Sequence, residues 1–231
     1  KQHLETLLSI NIGWTKDCVD HLQNFSEPRF VHRGFVTSDC PKFTDAKISI
    51  WAPEQNIGVY LSEFSASPMN LGDPEKPLVP PPGVDAGIFY DLVATRENLY
   101  ENLLAANTST NNTSIVFCIE WKGNKLLFTG DAEETSWKTM HEQGVLEEVD
   151  FLKVSHHGSH NGTPEPDILD VILPPNSRDG KKALVSTAFG PYETVPDSDT
   201  LAMIEDRCEK LHRLHLEADP GEYIDIKFDP K

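Results

Sequence analysis

Lys125-Leu126-Leu127-Phe128-Thr129-Gly130-Asp131 and, further along, Asp150-Phe151-Leu152-Lys153-Val154-Ser155-His156-His157-Gly158-Ser159 are the stretches that decide the fold. Each is a short apolar run ending in a polar turn that contains glycine, which reads as a strand followed by a sharp change of direction. Ahead of the first lies a second apolar run, Ser114-Ile115-Val116-Phe117-Cys118-Ile119-Glu120, joined to it through Lys122-Gly123-Asn124; the pair predicts a hairpin. Residues 132–143 read as a helix, with Glu133 and Glu134 near its positive N-terminus. Residues 149–154 and 182–187 read as strands, 197–211 as a helix and 223–228 as a final strand. Strands alternating with helices predict an α/β layered architecture.

The pattern upstream is less regular. Residues 1–25 suggest two helical pieces, with Leu4, Leu7 and Leu8, then Val19, Leu22 and Phe25, at helical spacing. Lys47-Ile48-Ser49-Ile50-Trp51 predicts a strand stopped by Pro53, and residues 58–61 a weaker one. Residues 65–87 include Pro80-Pro81-Pro82 and read as an irregular loop, either a lid or a plain insertion. Residues 91–106 read as a helix. The sequence therefore divides into residues 1–110, a helical and β segment with a Pro-rich loop, and residues 111–231, where the α/β signal is concentrated. The first part belongs to the same fold or is an insertion.

The 231 residues suffice for one sizeable core. A formal net charge of −17 disfavours a broad nucleic-acid surface, since phosphate backbones are bound by clustered Lys and Arg. No apolar run is long enough to span a bilayer, so no membrane is expected. The chain begins at Lys1 without the basic start and apolar core of a signal peptide, and a cytoplasmic location is expected. Cys18, Cys40, Cys118 and Cys208 form no C-x-x-C pair and are expected to be buried free thiols. Asn-x-Ser/Thr sequons at Asn24, Asn107, Asn111, Asn112 and Asn161 read as chance occurrences.

The chemistry concentrates where the strands end. A catalytic zinc ion needs three or more nitrogen, oxygen or sulfur ligands and an open position for water. Asp131 follows one strand and His156 the next, and both would emerge at one sheet edge if the strands share a sheet. Two adjacent histidines followed by Gly158 directly after an apolar strand point to a metal site more specifically than either would alone. Asn111-Asn112-Thr113-Ser114, the hairpin, Leu127-Phe128-Thr129-Gly130-Asp131, and Asp150 through Asn161 follow one another in an order that resembles the metallo-β-lactamase superfamily, in particular the hydrolase domain of ComEC-type competence proteins. The resemblance is strongest over residues 111–164. It implies a four-layered αββα sandwich and a dinuclear zinc site, with manganese or iron as alternatives. Asp131 would bridge the metals and His156 would be a ligand, with His157 a second candidate that takes a catalytic, orienting role. His160 and Asn161 would contact substrate, an ester, phosphodiester or other small phosphoester.

One family feature is absent. The H-x-H-x-D-H string that supplies most ligands does not occur; the nearest segment, Lys16-Asp17-Cys18-Val19-Asp20-His21, reads as ordinary helix. Two readings remain: a hydrolase whose N-terminal ligand-bearing half lies outside this sequence, or a metal-free binding or scaffold module with the same fold. His212 and His215, at i, i+3 spacing, read as a solvated helix face rather than a chelate. Ser159 lacks the Gly-x-Ser-x-Gly elbow of a serine nucleophile.

Overall fold

A computed structural model describes residues 24, 31–35, 45–60, 108, 110–187, 194–219 and 221–231. Two compact units are distinguished, Lys1–Val31 and His32–Lys231. Only Asn24 and Val31 of the first are described; the sheet and the helices that cover it belong to the second. The expected helices of residues 1–25 and 91–106, the Pro-rich loop, Cys18 and Cys40 lie outside the described residues.

Among the described residues six strands form one mixed sheet in chain order: β1 (Ala46–Ala52), β2 (Val116–Trp121), β3 (Asn124–Phe128), β4 (Phe151–Lys153), β5 (Lys182–Val185) and β6 (Lys210–Arg213). β1–β2 and β2–β3 are antiparallel; β3–β4, β4–β5 and β5–β6 are parallel. Each parallel step needs a crossover, which helices α1 (Glu134–Glu142), α2 (Pro166–Ile172) and α3 (Ser198–Glu205) supply. The fold is thus α/β, and β1 brings residues upstream of 111 into the same sheet as those downstream.

Pairing register explains the core. Cys118, Leu127, Leu152, Ala183 and Leu211 stand side by side across five strands, and all are buried. Trp137 and Met140 of α1, Ile168, Leu169 and Ile172 of α2, and Leu201 and Ile204 of α3 pack into the same cluster, so the three helices cover one face. The next residue along each strand points the other way. That second face carries Phe117, Ile119, Leu126, Phe128 and Leu184, all half-buried. Phe117 and Phe128 stack at 5.1 Å. The second face is therefore apolar over β2 and β3, which is why those strands read as near-continuous apolar runs, while Lys153, Lys182 and Lys210 interrupt it on β4, β5 and β6.

Several expectations are corrected. Residues 58–60 of the expected 58–61 strand form a 3-10 turn, Ile57–Tyr60, in which buried Tyr60 accepts the Glu54 N–H at 3.1 Å; Leu61 lies outside the described residues. The helix expected over 197–211 ends at Glu205, and Lys210–Arg213 becomes β6 because it pairs with β5. His212 and His215 accordingly do not share a helix face; His212 is buried on β6, with Nδ1 2.8 Å from Glu217 Oε2. Residues 223–228 form no strand. They carry no regular secondary structure, with Phe228 edge-on to Phe151 at 6.0 Å and Lys182 Nζ donating to the Lys227 carbonyl. Helix α2, not anticipated, carries Pro166 in its first turn.

Cys118 and Cys208 are buried free thiols, and burial pushes them up to about 12 and about 11. Among the described residues no helix is long and apolar enough to cross a membrane.

Candidate metal-site cleft

In an open sheet of parallel strands the carboxyl ends are where ligands bind. Here the carboxyl ends of β3, β4 and β5 surround a cleft of about 590 Å³. Asp131, His156, His157, His160 and Asn161, the site residues expected from sequence, all line it. Asn111, Ser159, Thr194, Val195 and Asp197 complete the described lining.

The chain reaches this geometry through short polar staples between the two strand ends. Thr129 Oγ1 donates to the Lys153 carbonyl at 2.7 Å, Ser155 Oγ to the Ala132 carbonyl at 2.5 Å, and the His156 N–H to the Gly130 carbonyl at 3.2 Å. The Asp131 N–H donates to Ser114 Oγ at 3.1 Å. Gly130 has φ +54°, and a Cβ there would stand 3.0 Å from that of Ser114, so the Gly before Asp131 is a steric requirement.

After β4 the backbone is strained. His156 (φ 43°, ψ 48°) and His157 (φ 56°, ψ 19°) are successive non-glycine residues in the left-handed region, followed by Gly158 at φ 79°. Such conformations cost about 1–3 kcal/mol each and persist where the surroundings over-determine them. The surroundings here are close: a Cβ on Gly162 would come within 2.6 Å of His156 Cβ, and one on Gly158 within 3.0 Å of Val185 Cγ2. Trp137, in the core, donates its indole N–H to the Gly162 carbonyl at 2.9 Å, tying the loop to α1.

The two imidazoles are held differently. His157 is exposed and places Nδ1 2.7 Å from the Ser186 carbonyl, which can only accept; its proton is therefore on Nδ1, leaving Nε2 with the lone pair. His156 is half-buried, with Glu133 Oε1 at 3.1 Å from its own Nδ1. That oxygen also accepts from Asn111 Nδ2 at 2.8 Å and Asn161 Nδ2 at 2.9 Å. Two sequon asparagines thus spend their amides inside the cleft, and a third, Asn112, is buried with Nδ2 donating to the Thr108 carbonyl.

Asp197 and Glu133 contribute without having been singled out for the site. Asp197 caps α3 by accepting the Thr200 N–H at 2.8 Å. This bond, helped by the charge of His160, holds its carboxyl below the usual aspartate range. Lys153, just below the cleft, is pushed down by burial, while the charge of Asp131 acts the other way.

Among the described lining residues Asp131 and Asp197 are the only side chains of fixed charge, and none is Lys or Arg. A cation suits this cleft, and an anionic substrate would need one. Carboxylate and imidazole donors from adjacent strand ends match the ligand chemistry of zinc, manganese or iron. Yet among the described residues no group of three or more His, Cys, Asp or Glu side chains is arranged to hold a metal ion. The described donors fit part of a metal site and do not complete one. Compared with protein-family models and with curated proteins, the chain matches none.

Proposed function

We propose that this chain carries part of the active site of a metal-dependent hydrolase of the metallo-β-lactamase type, its remaining ligands lying outside the described residues. The observation that carries the reading is the convergence of Asp131 and His156, from the ends of adjacent parallel strands, in one cleft whose described lining contains no Lys or Arg. The apolar part of the second face, on β2 and β3, supports the finer architecture, since a further β layer over Phe117, Leu126 and Phe128 would make the αββα sandwich.

In this reading Asp131 and His156 are metal ligands. His157, with Nε2 free, and His160 orient substrate or a proton, and Asn161 with Asn111 shapes the wall. A bound metal ion would supply hydroxide near neutral pH and Lewis-acid stabilisation of the developing oxyanion. An ester or phosphodiester is the proposed substrate class, the protein acting in the cytoplasm on small molecules rather than nucleic acid. Hydrolysis of chromogenic phosphodiesters and esters by the full-length protein, assayed with added zinc or manganese, tests this. Asp131→Ala and His156→Ala should each abolish turnover without unfolding the protein; full activity in both variants refutes the assignment.

Among the described residues the ligand set is incomplete, and a second reading follows from that, a metal-free binding or scaffold module of the same fold. It predicts that neither substitution alters metal content or any activity.

A further inference from the structure

We propose that Glu133 is the positioning residue of the cleft: its buried oxygen Oε1 fixes His156 through Nδ1 and leaves Nε2 as the ring nitrogen offered to a ligand. The proposal deepens the reading above, since it rests on His156 being a metal ligand.

Glu133 occupies the N-cap position of α1, where an acid ordinarily faces solvent, as its neighbour Glu134 does. Instead it is 3% exposed and its side chain makes no capping bond. Burying a carboxylate is costly unless hydrogen bonds or a counter-charge compensate. Among the described residues no Lys or Arg pairs with it; the amides of Asn111 and Asn161 do, both on Oε1. Three residues from two segments, one before β2 and one after β4, thus converge on one oxygen, and each of the three lines the cleft.

The third is His156. Its Nδ1 is fully buried and forms no aligned hydrogen bond, although Oε1 stands 3.1 Å away. The oxygen lies off the ring N–H direction, a looseness common in active sites before a ligand binds. A carboxylate only accepts, so the proposal assigns the ring proton to the nitrogen that faces it. The neutral ring therefore keeps its lone pair on Nε2, the arrangement by which a carboxylate orients a metal-binding histidine. Glu133 acts through His156 and touches neither substrate nor metal.

Long-range ¹H–¹⁵N correlation of the His156 ring in the full-length protein, above the ordinary imidazole range, reads the tautomer directly. The wild type should show Nδ1–H with bare Nε2. Glu133→Gln should give a mixture with Nε2–H and lower zinc affinity on the order of 10–100-fold, with Glu133→Asp recovering part of the loss. Nε2–H in the wild type overturns the proposal without any variant. So do unchanged His156 nitrogen shifts in folded Glu133→Gln and Glu133→Met. If the tautomer responds as stated but no variant, wild type included, takes up zinc, the positioning role stands and the metal reading fails.

Discussion

The two edges of the parallel strands use polar residues in opposite ways. At the edge where β4 and β5 begin, polar groups close on one another. Lys181 is buried, donating to the Val149 carbonyl and pairing with Glu148 Oε1, each at 2.8 Å. Asp150 accepts the Lys125 N–H at 2.9 Å and pairs with Lys231. At the edge where the strands end, the backbone is strained through His156 and His157, a buried carboxylate gathers amides instead of a cation, and the imidazole of His157, anchored at Nδ1 by the Ser186 carbonyl, keeps Nε2 open. Polar groups satisfied by each other stabilise; polar groups held in place and left partly open are available to a ligand. The difference separates a structural edge from a candidate functional one within a single sheet.

Substitutions should separate the two edges, with effects that run from large to small. Trp137→Ala should cost about 3–5 kcal/mol in chemical denaturation, because the ring is fully buried and its N–H holds the Gly162 carbonyl of the cleft loop. Trp137→Phe keeps most of that volume and should cost about 1–3 kcal/mol for the orphaned carbonyl. Lys181→Ala, at the structural edge, should cost about 1–3 kcal/mol, since the Val149 carbonyl loses its donor. Glu148, held low chiefly by Lys181, is exposed enough to be rehydrated. Activity per folded molecule should not change.

Asp197→Ala should cost about 1 kcal/mol through loss of the α3 cap. The folded carboxyl of Asp197 lies below its unfolded value, so its contribution is present at neutral pH and lost as pH falls through the lowered folded value. Comparing the acid limb of denaturation in wild type and Asp197→Ala checks the sign: the gap between them should close on acidification.

Much of this was legible in the sequence because it is local. The hairpin of β2 and β3, the Gly130-Asp131 turn and the His156-His157-Gly158 turn announce themselves through apolar runs, glycine and polar residues in order. The sequence also placed Asp131, His156, His157, His160 and Asn161 together, and all five line the cleft. What it hid is tertiary. Leu201, Ile204, Cys208 and Leu211 keep helical spacing with no Gly or Pro between them, and only pairing with β5 turns Lys210–Arg213 into a strand. Tyr223 to Phe228 has strand-like composition but finds no ladder partner among the described residues. Glu133 looks like any acid at a helix start until the fold brings Asn111 and Asn161 to it from distant positions. Helix α2 did carry a signal, Pro166 followed by Ile168, Leu169 and Ile172.

The central claim is that the open edge holds metal through Asp131 and His156. Metal content of the full-length protein, measured by elemental analysis after loading with zinc and desalting, tests it most directly alongside Asp131→Ala and His156→Ala. Retained zinc in the wild type that falls sharply in both folded variants is the predicted result. A wild type that retains no zinc, manganese or iron, or variants that retain as much as the wild type, would contradict it.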